Sequence, residues 1–162
     1  MSVEPYPFLT ATILRITQEV ADSFPEMFIK KGPGVGNKFT NEYMALLNSR
    51  VKQKLGDGYV EQRICKDTKQ NVDFYIREER VVIEVELALY NVHTNLDWYF
   101  LIFLLARYDG EKIDRLLLVG KEPAKERHKQ PASRSVIDWV RKNHNLEVLI
   151  EDIKNCNREN SC

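Results

Sequence analysis

Three acidic residues, Asp73, Glu84 and Glu86, stand inside two of the most apolar stretches of this 162-residue chain. Asp73 lies in Val72-Asp-Phe-Tyr-Ile76, and the glutamates lie in Val81-Val-Ile-Glu-Val-Glu-Leu87. Both stretches are rich in β-branched and aromatic residues and read as strands. Residues i and i+2 of a strand face the same side, so Glu84 and Glu86 project together while Ile83, Val85 and Leu87 face the other way. Carboxylates in such strands are costly unless something compensates them. Arg77 to Arg80 reads as a hairpin turn, which sets Asp73 opposite Glu84 to within about one residue. Three converging carboxylates repel one another without a cation. An oxygen-only donor set with open positions suits Mg²⁺, with Mn²⁺ able to substitute. A Glu-x-Glu taken alone is more often the solvated face of an amphipathic strand. The combination of three acids on two paired apolar strands is what points to chemistry.

The elements that must hold these residues follow from hydrophobic period. Leu9, Ile13, Ile16, Val20 and Phe24 make one apolar stripe over Phe8 to Phe24, closed by Pro25. A second helix is expected over Asn41 to Leu55, capped by Thr40, with Tyr43, Met44, Leu47 and Val51 facing the core and Gly56 and Gly58 ending it. Strands are expected at Tyr59 to Cys65, Val72 to Ile76 and Val81 to Leu87. A helix from Asn91 to about Arg107 follows. Arg115-Leu-Leu-Leu-Val119 has the continuous apolar character of a strand buried on both faces. A helix over Ser133 to Asn143 and a strand over Leu146 to Ile150 complete the order α-α-β-β-β-α-β-α-β. That order describes an α/β fold with a mixed sheet flanked by helices on both faces. One domain is expected over residues 1–162, with a loose tail from Asp152.

Composition narrows the setting. Lys plus Arg and Asp plus Glu both number 24, so total charge does not point to nucleic acid, although local distribution decides binding. Cys65, Cys156 and Cys162 form neither a disulfide framework nor a zinc spacing, and a reducing cytoplasm is expected. The N-terminus lacks a basic-then-apolar leader pattern. The most apolar run, Trp98 to Ala106, is about half a membrane span, so no membrane partner is expected.

Asp73, followed eleven residues later by Glu84 and then Glu86, on a hairpin before a helix, resembles the signature of the PD-(D/E)XK nuclease superfamily. The resemblance spans roughly Thr40 to Ile150. Glu86 stands where the usual motif has Lys, and in this the chain is similar to BamHI-type restriction endonucleases. The run from Val82 to Asn91 looks similar to that region, with Asn91 and Asn95 falling where such enzymes carry polar residues after the strand. The resemblance implies a restriction-endonuclease-like fold and Mg²⁺-dependent hydrolysis of double-stranded DNA by a homodimer. It further implies that Asp73 and Glu84 hold the metal and that Glu86 is a ligand or orients the attacking water. Many members use another acid from an early helix, for which Glu42 is the candidate. A basic group normally supplied by the motif Lys would come from Lys38, Arg63 or Arg80.

DNA phosphates or base edges have two candidate surfaces. One is the basic run Lys121, Lys125, Arg127, His128, Lys129 and Arg134; the other is the set of lysines around the Gly-rich loop, Lys38 among them. That loop, Gly32-Pro-Gly-Val-Gly36, lacks the Gly-Lys-Ser/Thr end of a phosphate-binding P-loop. His93, His128 and His144 show no catalytic or zinc spacing, though His93 follows the acidic strand closely. The readings in view are a type II restriction endonuclease, a repair or junction-resolving nuclease of the same fold, and a non-catalytic DNA-binding or assembly subunit.

Overall fold

The computed structural model of the chain describes residues 6–29, 35–64, 71–87, 113–127 and 129–156, without the side chains of residues 27, 29, 35–37 and 127. The chain forms two compact units. A helical unit comprises Met1–Val60 with Ile153–Cys162, and a sheet unit comprises Glu61–Asp152.

The helical unit holds α1 (Phe8–Asp22), the short α2 (Glu26–Ile29) and α3 (Val35–Leu55). The apolar stripe of α1 is buried through Ile13, Ile16 and Val20, and that of α3 through Tyr43, Leu47 and Val51. α1 ends two residues before Phe24, where the Ser23 N–H turns back to Val20 O. α3 begins at Val35, ahead of the expected start at Asn41, so Thr40 sits inside the helix rather than at its cap. Gly36 costs this first turn about 1 kcal/mol relative to Ala. The half-buried Phe39 and the Lys38–Glu42 ion pair at 3.8 Å favour the added turns. Gly56 ends α3 as expected. It adopts φ +100°, open to glycine without a Cβ clash, and its N–H returns to Lys52 O at 2.9 Å.

Three buried hydroxyls of this unit find backbone acceptors. Thr12 and Thr17 donate their hydroxyls to the carbonyls of Phe8 and Ile13 one turn back. The Tyr43 hydroxyl donates to Thr17 O at 2.8 Å, and burial, reinforced by nearby Asp22, pushes this phenol well above its ordinary range. It stays a neutral donor throughout the working pH range. Tyr43→Phe is expected to lower the free energy of unfolding in urea by about 1 kcal/mol, the net worth of one buried hydrogen bond.

The sheet unit is built on five strands in the order β1-β2-β3-β4-β5, namely β1 (Val60–Gln62), β2 (Val72–Ile76), β3 (Val81–Val85), β4 (Arg115–Lys121) and β5 (Glu147–Ile153). β2 and β3 form the expected antiparallel hairpin, with Phe74 opposite Ile83 and Ile76 opposite Val81. β4 pairs with β3 in parallel, Val81 opposite Arg115 and Val85 opposite Val119. A parallel pair needs a crossover connection. The helix expected for it, from Asn91 to Arg107, lies outside the described residues. All five residues of β3 are buried, as are Leu116 to Gly120 of β4, in line with strands covered on both faces.

Two helices follow β4. α4 (Ala124–Arg127) occupies ground expected to be loop, and α5 (Pro131–His144) starts two residues early with Pro at its first turn, where a missing N–H costs nothing. Asn145 caps α5 in the left-handed region at φ 53°, a conformation Asn tolerates. Val140 of α5, with Val136 and Ile137, packs on the sheet face carrying Val82, Leu116 and Leu118. At the other end of β4, the Glu147 N–H bonds Asp114 O at 2.9 Å, so β5 starts beside the start of β4.

β5 runs through Ile153, past the point at Asp152 where the tail was expected to loosen. Within the helical unit Lys154 is then clasped by Gln18, which accepts its N–H and donates to its carbonyl, each at 2.9 Å. Cys156 is disulfide-bonded, where reduced thiols were expected. Among the described residues no helix is long and apolar enough to cross a membrane.

Candidate carboxylate site

One step beyond the Phe74–Ile83 pair, the hairpin register sets Asp73 opposite Glu84. The ladder changes character there. The Val85 N–H donates to Asp73 Oδ2 at 2.8 Å, and the Asp73 N–H leans towards Glu84 Oε2 at 3.4 Å. Each carboxyl thus stands in for a backbone carbonyl, and the two strands part around the pair. β3 keeps its other neighbour, since the Glu86 N–H bonds Val119 O on β4 at 2.9 Å.

Glu84 is the buried carboxyl among the described residues, with 5% of its surface exposed. Burial raises its pKa well above the ordinary value, and the adjacent Asp73 charge, a hydrogen bond to Asp73, and Glu86 all push the same way. Burial also raises Asp73. The Val85 N–H and the Glu84 hydrogen bond oppose that rise, while the charge of Glu61 adds to it. Both carboxyls are thus pushed upward, Glu84 the more strongly, as expected for like charges held together in a dry setting, where sharing one proton relieves the repulsion. Among the described residues, the side-chain charges that shift this pair, those of Glu61 and Glu86, are acidic.

Glu86 lies half-buried just past the end of β3 and reaches Glu84 through its charge. Glu61 is the residue the sequence did not disclose. It sits in β1 with φ 51°, a left-handed backbone unusual for Glu and costing about 1–2 kcal/mol. Its only sequence signal is an acid in a strand of loose alternation; positive φ has no such signature.

The expected gathering of Asp73, Glu84 and Glu86 resolves into a tight pair with two acids at longer range. Among the described residues no three His, Cys, Asp or Glu side chains come together as a ready ligand group. Glu86 lies one residue past the end of β3 and acts on Glu84 through its charge. The donor chemistry of the pair still fits a hard divalent cation, which would replace the shared proton and bring in Glu86 or Glu61.

The other candidates are dispersed. Glu42 belongs to the helical unit, exposed and paired with Lys38. Arg80 pairs with Asp114 at 3.2 Å at the turn end of β3, four residues or roughly 13 Å along the strand from Glu84. Arg63 is exposed beyond β1. Lys121 ends β4 half-buried, and burial pushes its ammonium pKa down. Strand alternation groups it with Leu117 and Val119, on the face opposite Leu118, the partner of Glu84. Two lysines of the basic run are paired with acids. Lys125 pairs with Glu151, its N–H bonds Asp152 at 2.8 Å, and Lys129 pairs with Glu126 at 2.8 Å. Arg134 is exposed on α5. The Arg127 side chain, Asn91, Asn95, His93 and His128 fall outside the described residues. His144 rests against the exposed Trp139 ring at 5.1 Å. No family model, no curated protein and no solved structure matches this chain.

Proposed function

We propose that this chain is a divalent-metal-dependent endonuclease of the PD-(D/E)XK type that hydrolyses phosphodiester bonds of double-stranded DNA, acting as a type II restriction endonuclease. The observation that carries the reading is the pair of half-buried Asp73 and buried Glu84, set in register at the open end of a β-hairpin whose second strand pairs in parallel with β4. A restriction-endonuclease-like core calls for that hairpin, that parallel neighbour and acids at those two places. Two carboxyls held together in an apolar strand pair are costly for the fold. A bound cation gives that cost a purpose.

Bound Mg²⁺ supplies polarisation of a phosphoryl oxygen and a lowered pKa for its water. The residues supply the rest. Asp73 and Glu84 give up their shared proton and present oxygens from two strands fixed by backbone hydrogen bonds. Glu86, at the strand end, accepts a proton from the attacking water. Glu61 adds negative charge that favours a cation at this end of the sheet. Cutting both strands of a duplex calls for two copies of the chain, hence a homodimer.

One observation favours a second reading, a non-catalytic DNA-binding or assembly subunit: among the described residues the charges that shift the carboxyl pair are acidic, and Glu86 stands in the motif position of the lysine. Incubation of plasmid DNA with the purified protein and Mg²⁺, Mn²⁺ or EDTA separates these. Fixed fragments with either metal and none with EDTA support the restriction enzyme. Ragged or structure-dependent cutting supports a repair or junction-resolving nuclease. Intact plasmid with both metals overturns the catalytic reading.

A further inference from the structure

The helical unit carries a groove of its own. α1 and α3 leave a cavity of about 390 Å³ between them, lined by Arg15, Ile16, Glu19, Arg50, Gln53 and Lys54. A second hollow of about 160 Å³ shares Ile16, Glu19 and Arg50 with it and extends along Val20 and Leu46. A volume of this order accommodates a small organic ligand.

The charges converge across it. Arg50 and Lys54 are four residues apart and so lie on one face of α3; Arg15 and Glu19 do the same on α1. Arg15 Nε is only loosely held, 4.0 Å from Glu19 Oε1 with both side chains more than half exposed. Neither Arg50 nor Lys54 has an ion pair or hydrogen bond with another described residue, whereas Lys52, on the next face, pairs with Asp57. Cations near the C-terminus of a helix complement its dipole. That preference does not account for a third cation facing them from another helix over an apolar floor of Ile16.

We propose that this groove binds the terminal phosphate group of a nucleotide-sized ligand. Arg50 and Lys54 hold phosphate oxygens from one wall and Arg15 from the other, since guanidinium forks match phosphate geometry. Gln53 offers an amide, and Ile16 and Leu46 give apolar surface for a ring. Glu19 limits affinity by occupying Arg15 and repelling the anion. Two sources share this chemistry, a free nucleotide and the phosphorylated end of a nucleic acid strand.

The test uses the full chain and calorimetric titration with adenosine 5′-diphosphate, with adenosine as the uncharged control. The diphosphate is expected to bind at one site per chain, and adenosine not to bind. Arg50→Gln and Lys54→Gln are both at exposed positions, and each is expected to weaken binding about tenfold, one charge-assisted hydrogen bond. Glu19→Gln is expected to tighten it. Lys142→Gln, which removes a cation from α5 instead, should leave affinity within about twofold. No saturable diphosphate binding, or equal weakening by Lys142→Gln and Arg50→Gln, overturns the proposal. Displacement by a 5′-phosphorylated oligonucleotide but not by its 5′-hydroxyl counterpart assigns the site to strand ends; no displacement by either assigns it to free nucleotides. These readings do not depend on plasmid cleavage, so this proposal and the nuclease assignment stand or fall separately.

Discussion

Asp73→Asn and Glu84→Gln are each expected to reduce metal-dependent plasmid cleavage by at least about 10³-fold while the protein stays folded. Metal-assisted polarisation of a phosphoryl oxygen is worth several kcal/mol, and each 1.36 kcal/mol is about a factor of ten in rate. Losing one of two buried anionic ligands removes most of that. The amide replacements are chosen for their shape. In Asp73→Asn the amide oxygen can still accept the Val85 N–H that Asp73 Oδ2 accepts at 2.8 Å. In Glu84→Gln the amide nitrogen can donate to Asp73 as the protonated Glu84 does. Circular dichroism should therefore match the parent chain, and Mn²⁺ binding followed by electron paramagnetic resonance should fall in parallel with cleavage. Full cleavage by either folded variant would remove the pair from the mechanism.

The same pair governs the second large effect, a pH-dependent change in stability. Glu84 binds its proton more tightly in the folded chain than in the unfolded one, because burial and Asp73 disfavour the charged form. The unfolded chain binds fewer protons as the pH rises past the ordinary value of 4.5, so this contribution to stability is fully present below that pH and declines above it, until the folded-state pKa is passed. The amide of Glu84→Gln mimics the protonated form and does not titrate. The two proteins should be nearly equal in stability below about pH 4.5, and Glu84→Gln should become the more stable by about 1–3 kcal/mol at neutral and higher pH. Asp73→Ala should behave oppositely. It leaves the Val85 N–H and the Glu84 hydroxyl without their acceptor and is expected to cost about 1–3 kcal/mol, which Asp73→Asn restores. Urea unfolding of the parent and these variants between pH 4 and 8 measures both; a pH-independent difference between parent and Glu84→Gln would show that the pair does not share a proton.

Adding a divalent cation should reverse the second effect. If the cation replaces the shared proton, the parent gains stability in Mg²⁺ and releases protons on binding, while Glu84→Gln gains little. Thermal melts with and without Mg²⁺ at pH 7.5 test this without reference to cleavage.

Local patterns carried a large share of the fold. The hairpin from Val72 to Val85 was legible because β-branched residues and a polar four-residue turn specify both strands and their register, and the register alone brings Asp73 opposite Glu84. The helices around Ile13 and Leu47 were legible from the 3.6-residue period of their buried faces. Their ends were less so. α3 starts well before its expected Thr40 cap because packing of Phe39 and the added turns outweighs the weak preference of Gly36 against helix. The short α4 and the continuation of β5 to Ile153 were also invisible, since Ile153 is buried and Gln18 grips Lys154 by contacts remote in the chain.

What the sequence determined by itself is the apolar hairpin and the two acids facing each other across it, because strand alternation and turn position are local properties; the parallel pairing of β4 with β3 joins segments about thirty residues apart. What only the tertiary structure decided is the state and company of those acids. Burial disfavours charge on both Asp73 and Glu84, and the charges of Glu86 and Glu61 act on Glu84 and Asp73 in the same direction. Tertiary packing likewise engaged Lys125 with Glu151 and left Arg50 and Lys54 facing Arg15 over a groove. Charge in a folded chain depends on which groups are dried and which are paired, and both are settled by contacts between segments far apart in sequence.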